Sequence, residues 1–476
     1  MNFRTKILIL IIAGSIIRLI AIFNLPLISE EAYQIILSSS DDFIKAAKIS
    51  ADAHPPLYLL ILKIWQIFSQ NIFYVRGLSL IFGILTILSI AVISKKLFNK
   101  NIGLLAAFLV TISPSQIYYS AIARMYSLAI FEFTLVIYYF TRFLNRKSVS
   151  FPFIALFLVG LYTHFFFVIL FFILNLYFLL FKHKIKNNLR NLVYTDLIIL
   201  VFFIPAIILV LTADRSFPIP LNIFQKFPFF YSAPIVPWDI ITSFRVAVLG
   251  EWDVLSLFGI FLCFVSLILF FLSAYLSRHD ERTTLFSFVF LITPILTLIF
   301  SIIFFQIWAV RSYTIFSPLF FILVAYSVSK LSRFVRFLVT FFITFLISLI
   351  LILYFKTNLE PNDISNQIYA NFEKNDAIVY NDSVFFLSTK LIPLPGKHFL
   401  VHQGPFTNES LKILGVEISE FSDISNNYHR IWYVKHPTNW PPYDKVADDW
   451  EDFFQNNFKE VKRKTYLNIQ LILYEK

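Results

Sequence analysis

The chain is a succession of apolar runs, many of them close to the ~20 residues an α-helix needs to cross a bilayer, separated by short connectors rich in lysine and arginine. A water-soluble globule is excluded, and composition agrees: 58% of residues are hydrophobic, 19% are aromatic and mean hydropathy is +0.74. Expected spans are 5–23, 72–94, 102–120, 125–141, 193–212, 252–277, 285–306, 313–330 and 337–355. The run from Phe151 to Phe181 is too long for one crossing, and Thr163 and His164 interrupt it. It reads as two short helices meeting at a polar point. Residues 7–23 read as an uncleaved first helix, because no small-residue cleavage site follows them.

A formal charge of +11 would point to nucleic acid in a soluble protein, but many of these cations lie in the connectors, as the cytoplasmic bias of positive charge predicts. No nucleic-acid partner is expected. Lys95, Lys96, Lys100, Arg142, Arg146, Arg278, Arg282, Lys330 and Arg333 are assigned to the inner face. Parity then makes 57–69, with Lys63, Trp65 and Gln66, a helix lying at the interface. The sum is about eleven crossings, with the amino terminus inside and the carboxyl terminus outside. Polar residues return after Lys356, and 377–387, 430–434 and 467–474 are β-rich. The expected fold is a membrane all-α polytopic bundle over 1–356 and a small extracytoplasmic α/β domain over 357–476.

The first outer loop, 24–56, carries Glu30 and Glu31 and closes on Asp52, His54, Pro55 and Pro56. Carboxylates at the lip of a bilayer are costly, so they mark a candidate site. On a helix, neighbouring side chains diverge by about 100°, so the pair cannot face each other; one acts as a base while the other holds loop or metal, or both solvate a helix start after Ser29 as cap. Asp52 or His54 with His164 offers a possible divalent-metal site, or simply histidines hydrogen-bonded at the water boundary. Arg124 and Arg311, beside Tyr126 and Tyr313, stand at expected outer helix ends, either to clamp a phosphate or to snorkel. Arg215 and Arg245 are weaker candidates, and His398 and His402 fall in a strand or loop. The ten glycines never fall two apart and no Gly-Lys-Ser/Thr occurs, so a Rossmann or P-loop nucleotide site is not expected. No cofactor is assigned with certainty.

Taken in order, Glu30-Glu31-Ala32-Tyr33, Asp52-Ala53-His54-Pro55-Pro56-Leu57-Tyr58, Arg76-Gly77, Ser113-Pro114, Ala123-Arg124-Met125-Tyr126, Thr163-His164-Phe165 and Arg311-Ser312-Tyr313 resemble the GT-C superfamily of membrane glycosyltransferases. The likeness is to the bacterial relatives of protein O-mannosyltransferases and of the enzyme that puts aminoarabinose on lipid A, and it covers roughly 1–330. It implies an inverting transfer of sugar from a polyprenyl-phosphate donor to a hydroxyl of a lipid, glycan or protein acceptor at the outer face. It also implies a first-loop acid as base, with Glu30 where the family usually has aspartate and Glu31 at the family's own glutamate, and makes Arg311 a phosphate contact. Asp52, His54, Arg124, Tyr126, His164 and Tyr313 complete the expected binding set. The alternatives are a lipid or solute transporter or flippase, and a non-catalytic subunit that keeps this fold.

Overall fold

The computed structural model describes residues 1–51, 54–213, 257–303, 310–344, 361–381, 386, 387, 391, 395–401, 408–415, 418–435, 443–466 and 469–476. The expected boundary at 356/357, and Asp52, Arg215, Arg245 and His402, lie outside the described residues. Helix α1 (Phe3–Asn24) has 22 residues, about 33 Å at ~1.5 Å per residue, which matches a hydrocarbon layer of ~30 Å. Asn2 caps it by accepting a hydrogen bond from the Thr5 amide. Among the described residues, six helices are long and apolar enough to cross a membrane, namely Phe3–Asn24, Ile72–Leu97, Tyr126–Leu144, Leu189–Leu211, Glu281–Phe300 and Arg311–Lys330. Shorter apolar helices accompany them.

The remaining labels follow in chain order: α2 (Ser29–Ser39), α3 (Phe43–Ser50), α4 (Leu57–Gln66), α5 (Ile72–Leu97), α6 (Lys100–Ile112), α7 (Pro114–Tyr119), α8 (Tyr126–Leu144), α9 (Phe151–Thr163), α10 (Phe166–Leu180) and α11 (Leu189–Leu211). The break at Thr163 and His164 falls where the sequence places it. The expected 102–120 span is different: it is two helices, because Pro114 has no N–H to donate back to Val110. The carbonyls this frees in an apolar setting need other donors. Arg18 of α1, fully buried, supplies them, giving hydrogen bonds to the carbonyls of Val110 (3.2 Å) and Thr111 (3.1 Å) as well as to the Ser120 hydroxyl (3.2 Å). Gly83 makes the room, since a Cβ there would lie 2.2 Å from the Ser120 hydroxyl.

Helix Ser317–Lys330 is buried on nearly every side, so it and α8 form the centre of the bundle. α11, by contrast, turns Leu197, Val201, Phe202 and Ile208 outward, as a lipid-facing helix does. The small carboxyl-terminal domain is a five-stranded mixed sheet of order β2-β1-β3-β5-β4, with β1 Ala377–Tyr380, β2 Lys397–Leu400, β3 Arg430–Lys435, β4 Lys459–Tyr466 and β5 Ile469–Glu475. β1 pairs in parallel with β2 and β3, and β5 runs antiparallel to β3 and β4. His398 lies on β2, where its ring bonds the Tyr380 hydroxyl at 3.0 Å. One apolar cluster joins the sheet to the first loop: Trp432, Leu471 and Leu473 share it with Ala32, Leu37 and Ile49 of α2 and α3. The sheet domain thereby holds the loop that carries the two glutamates.

Candidate active site

α2 begins at Ser29, with Ile28 as its cap and no side-chain cap bond, so the serine lies inside the helix and not before it. Glu30 and Glu31 occupy the first turn. Their divergence sends them to different partners. Glu31 is fully buried and takes both a bidentate pair of bonds from Arg76 of α5, 2.8 Å each, and the Ala123 amide at 2.7 Å. The other N–H groups of Arg76 go to the carbonyls of Ile22, Leu25 and Pro26, each at 2.9 Å. All five guanidinium donors are thus used. Glu31, read from sequence as a second catalytic carboxylate, is placed in a closed knot that ties α2 to α5 and to the end of α1.

Glu30 points the other way. Its carboxylate meets the Arg311 guanidinium at 2.8 Å, and the two side chains are 40% and 39% exposed, so the pair is open to a ligand. Arg124, itself buried, donates to the Glu30 carbonyl at 2.9 Å and to His54 at 3.1 Å. Burial opposes ionisation of Glu30, but the Arg311 and Arg124 guanidiniums outweigh it and hold the carboxyl below its ordinary range. The Glu30 position is therefore negative and the space beside it positive.

Both histidines are uncharged here. Burial, then the positive field of Arg124 and its neighbours, pushes His54 well below the usual histidine value and His164 down to about 3. Their rings lie 5.6 Å apart, and His164 is also 5.6 Å from Tyr126. Hydrogen bonding fixes the tautomers. Arginine only donates, so His54 Nε2 accepts and Nδ1 carries the proton; the Phe166 amide donates to His164 Nδ1 at 3.2 Å, so Nε2 carries it there. A metal needs nitrogen lone pairs, and in this arrangement both remaining ring nitrogens present N–H instead. Among the described residues no group of three or more His, Cys, Asp or Glu is placed to hold a metal, and Asp52, the carboxylate of the divalent-metal expectation, lies outside them.

The structure therefore brings Glu30, His54, Arg124, Tyr126, His164 and Arg311 together. Tyr313 lies apart: it is buried, its ring packs on Phe290 and Phe316, and its hydroxyl donates to the Phe290 carbonyl. Arg76, which enters the sequence reading only as part of the resembling motifs, is the residue that seats Glu31. Its signal was a single arginine inside the otherwise apolar stretch 72–94.

The family model described as dolichyl-phosphate-mannose-protein mannosyltransferase matches residues 53–209. Over nearly its whole length the chain shares its fold with a solved structure. ArnT from Cupriavidus metallidurans in the apo state superposes with a TM-score of 0.63 at 12% identity, covering 99% of this chain and 98% of that one. The same protein bound to undecaprenyl phosphate gives 0.62 at 12% identity, over 98% and 97%. The apo oligosaccharyltransferase of Archaeoglobus fulgidus gives 0.50 at 12% identity, over 90% of this chain and 69% of that one. No curated protein matches by sequence.

Proposed function

We propose that this chain is an inverting glycosyltransferase that moves a sugar from a polyprenyl-phosphate donor to an acceptor hydroxyl at the outer face of the membrane. The carrying observation is the half-open pair of Glu30 and Arg311, with Arg124 and two neutral histidines beside it. The GT-C fold, and the undecaprenyl phosphate in the ArnT structure, support a lipid-linked donor.

In this reading the acceptor oxygen attacks the anomeric carbon, the bond from that carbon to the phosphate oxygen breaks, and Glu30 takes the acceptor's proton. The phosphodiester becomes a phosphomonoester and gains negative charge, which Arg311 and Arg124 stabilise. Arg311 must exchange the Glu30 carboxylate for the phosphate as the donor enters. That exchange frees Glu30 from the guanidinium that holds its basicity down, so the base strengthens only when the donor is in place. His54 Nδ1–H and His164 Nε2–H, which have no acceptor among the described residues, offer neutral donors to the incoming substrate, and Glu31 with Arg76 positions α2. The amino terminus is cytoplasmic and the sheet domain extracytoplasmic, with the domain boundary near 356.

The test is turnover by purified protein offered radiolabelled polyprenyl-phosphate sugars beside nucleotide sugars, with Glu30→Gln as control. Transfer from the lipid-linked donor that disappears in Glu30→Gln supports the reading. Transfer from the nucleotide sugar alone, or full activity of the variant, overturns it.

A further inference from the structure

A crevice of about 470 Å³ opens at the amino-terminal end of α1, whereas Glu30 follows that helix's other end, about 30 Å away. Its walls are apolar, chiefly Ile9, Leu104, Leu105 and Phe108, and its rim carries Lys6 and Arg336 with no carboxylate in the lining. The adjoining face of α1 exposes Leu8, Ile9 and Ile12 by about half, as residues that touch lipid do. Arg336 is fixed at the rim because its Nη2 donates to the carbonyls of Ser329 (2.9 Å) and Leu331 (3.0 Å), closing the end of helix Ser317–Lys330. Its Nε–H is buried with no acceptor.

We infer that this crevice binds an anionic phospholipid from the leaflet on that side. The phosphate lies between Lys6 and Arg336, and an acyl chain runs along Leu104, Leu105 and Phe108. Cationic pockets between membrane helices suit anionic headgroups, each basic residue near the surface adding attraction. A second cavity of about 470 Å³ makes the contrast: Asp280 and Glu281 balance Lys184 and Arg282 around it, so it has no preference for an anion.

The experiment titrates the purified full-length protein in detergent with phosphatidylglycerol or phosphatidylcholine, reading the thermal midpoint and the lipid retained by native mass spectrometry. Phosphatidylglycerol is expected to raise the midpoint and stay bound. Lys6→Gln, an exposed position that folding tolerates, weakens that binding about fivefold, the effect of one lost surface cation. Leu105→Trp, which fills the crevice, abolishes it. Equal stabilisation by phosphatidylcholine overturns the inference, as does undiminished phosphatidylglycerol binding in Lys6→Gln.

Discussion

Exchanging each glutamate for glutamine separates the anchor from the base. Glu31 is fully buried and Arg76 is 2% exposed, and the pair meets through two bonds of 2.8 Å. Glu31→Gln keeps the volume but removes the charge and, in either amide orientation, turns an N–H₂ toward a donor of Arg76, in one of them toward the Ala123 amide as well. An arginine left buried without its counter-charge costs about 3–5 kcal/mol. Glu30 and Arg311 are each about 40% exposed, so Glu30→Gln changes stability by no more than about 1 kcal/mol. If Glu30 is the base, the same change lowers turnover by roughly 10²–10⁴-fold.

Thermal unfolding of the detergent-solubilised protein, followed by intrinsic fluorescence, and turnover with a polyprenyl-phosphate sugar give the two readings. Glu31→Gln is expected to lower the midpoint sharply, while Glu30→Gln keeps the midpoint and loses turnover. An unchanged midpoint in Glu31→Gln would refute the division of labour. So would equal loss of turnover in both variants at an unchanged midpoint.

Arg311→Gln removes the larger charge that holds the Glu30 carboxyl down, so the acidic limb of kcat/KM in that variant moves to higher pH; a limb that stays in place disconnects the two residues. Because His54 and His164 titrate lower in the folded protein than in the unfolded chain, the unfolded chain binds more protons as pH falls below about 6.5, and the thermal midpoint declines there. The decline shrinks in His164→Gln, and a midpoint flat through that range in the native sequence contradicts the assignment. Arg18→Leu leaves the carbonyls of Val110 and Thr111 unpaired in an apolar setting, at about 1–3 kcal/mol each. Chemical denaturation of that variant in mixed micelles should show the loss.

Much of the bundle is legible because a bilayer imposes one length on every span. The 31 residues from Phe151 to Phe181 exceed it, and the polar Thr163 and His164 mark where the chain must break. The break at Ser113 was not legible from hydropathy, since the run continues through Pro114 and what makes the interruption tolerable is Arg18, 95 positions away in another helix. β4 escaped for the opposite reason. Its Lys459–Tyr466 sequence is charged, as an exposed edge strand is, and lacks the apolar alternation that revealed β3 and β5. Within the site, the resemblance placed Glu30 and Arg311 in one cavity, but nothing local foretold their direct contact, because they stand 281 positions apart. Tyr313 stands two positions from Arg311, yet it turns into the core.

The adjacency of the two acids explains why one can be fixed by the other. Once Arg76 and the Ala123 amide seat Glu31 against the end of α1, the ~100° step of the helix leaves Glu30 a single outward direction, toward Arg311. Length then decides contact. An aspartate at position 30, the residue usual in the resembling family, would end about 1.5 Å short, the length of one carbon–carbon bond. The glutamate spans that gap and pairs with Arg311 at 2.8 Å. On the proposed function, Glu30→Asp should therefore loosen the pair, which makes Arg311 more available to phosphate, while moving the carboxylate away from the acceptor hydroxyl it would deprotonate. Polyprenyl phosphate would then bind at least as tightly as to the native sequence while turnover falls. Weaker binding in Glu30→Asp would mean that the carboxylate and the phosphate do not compete for the same guanidinium.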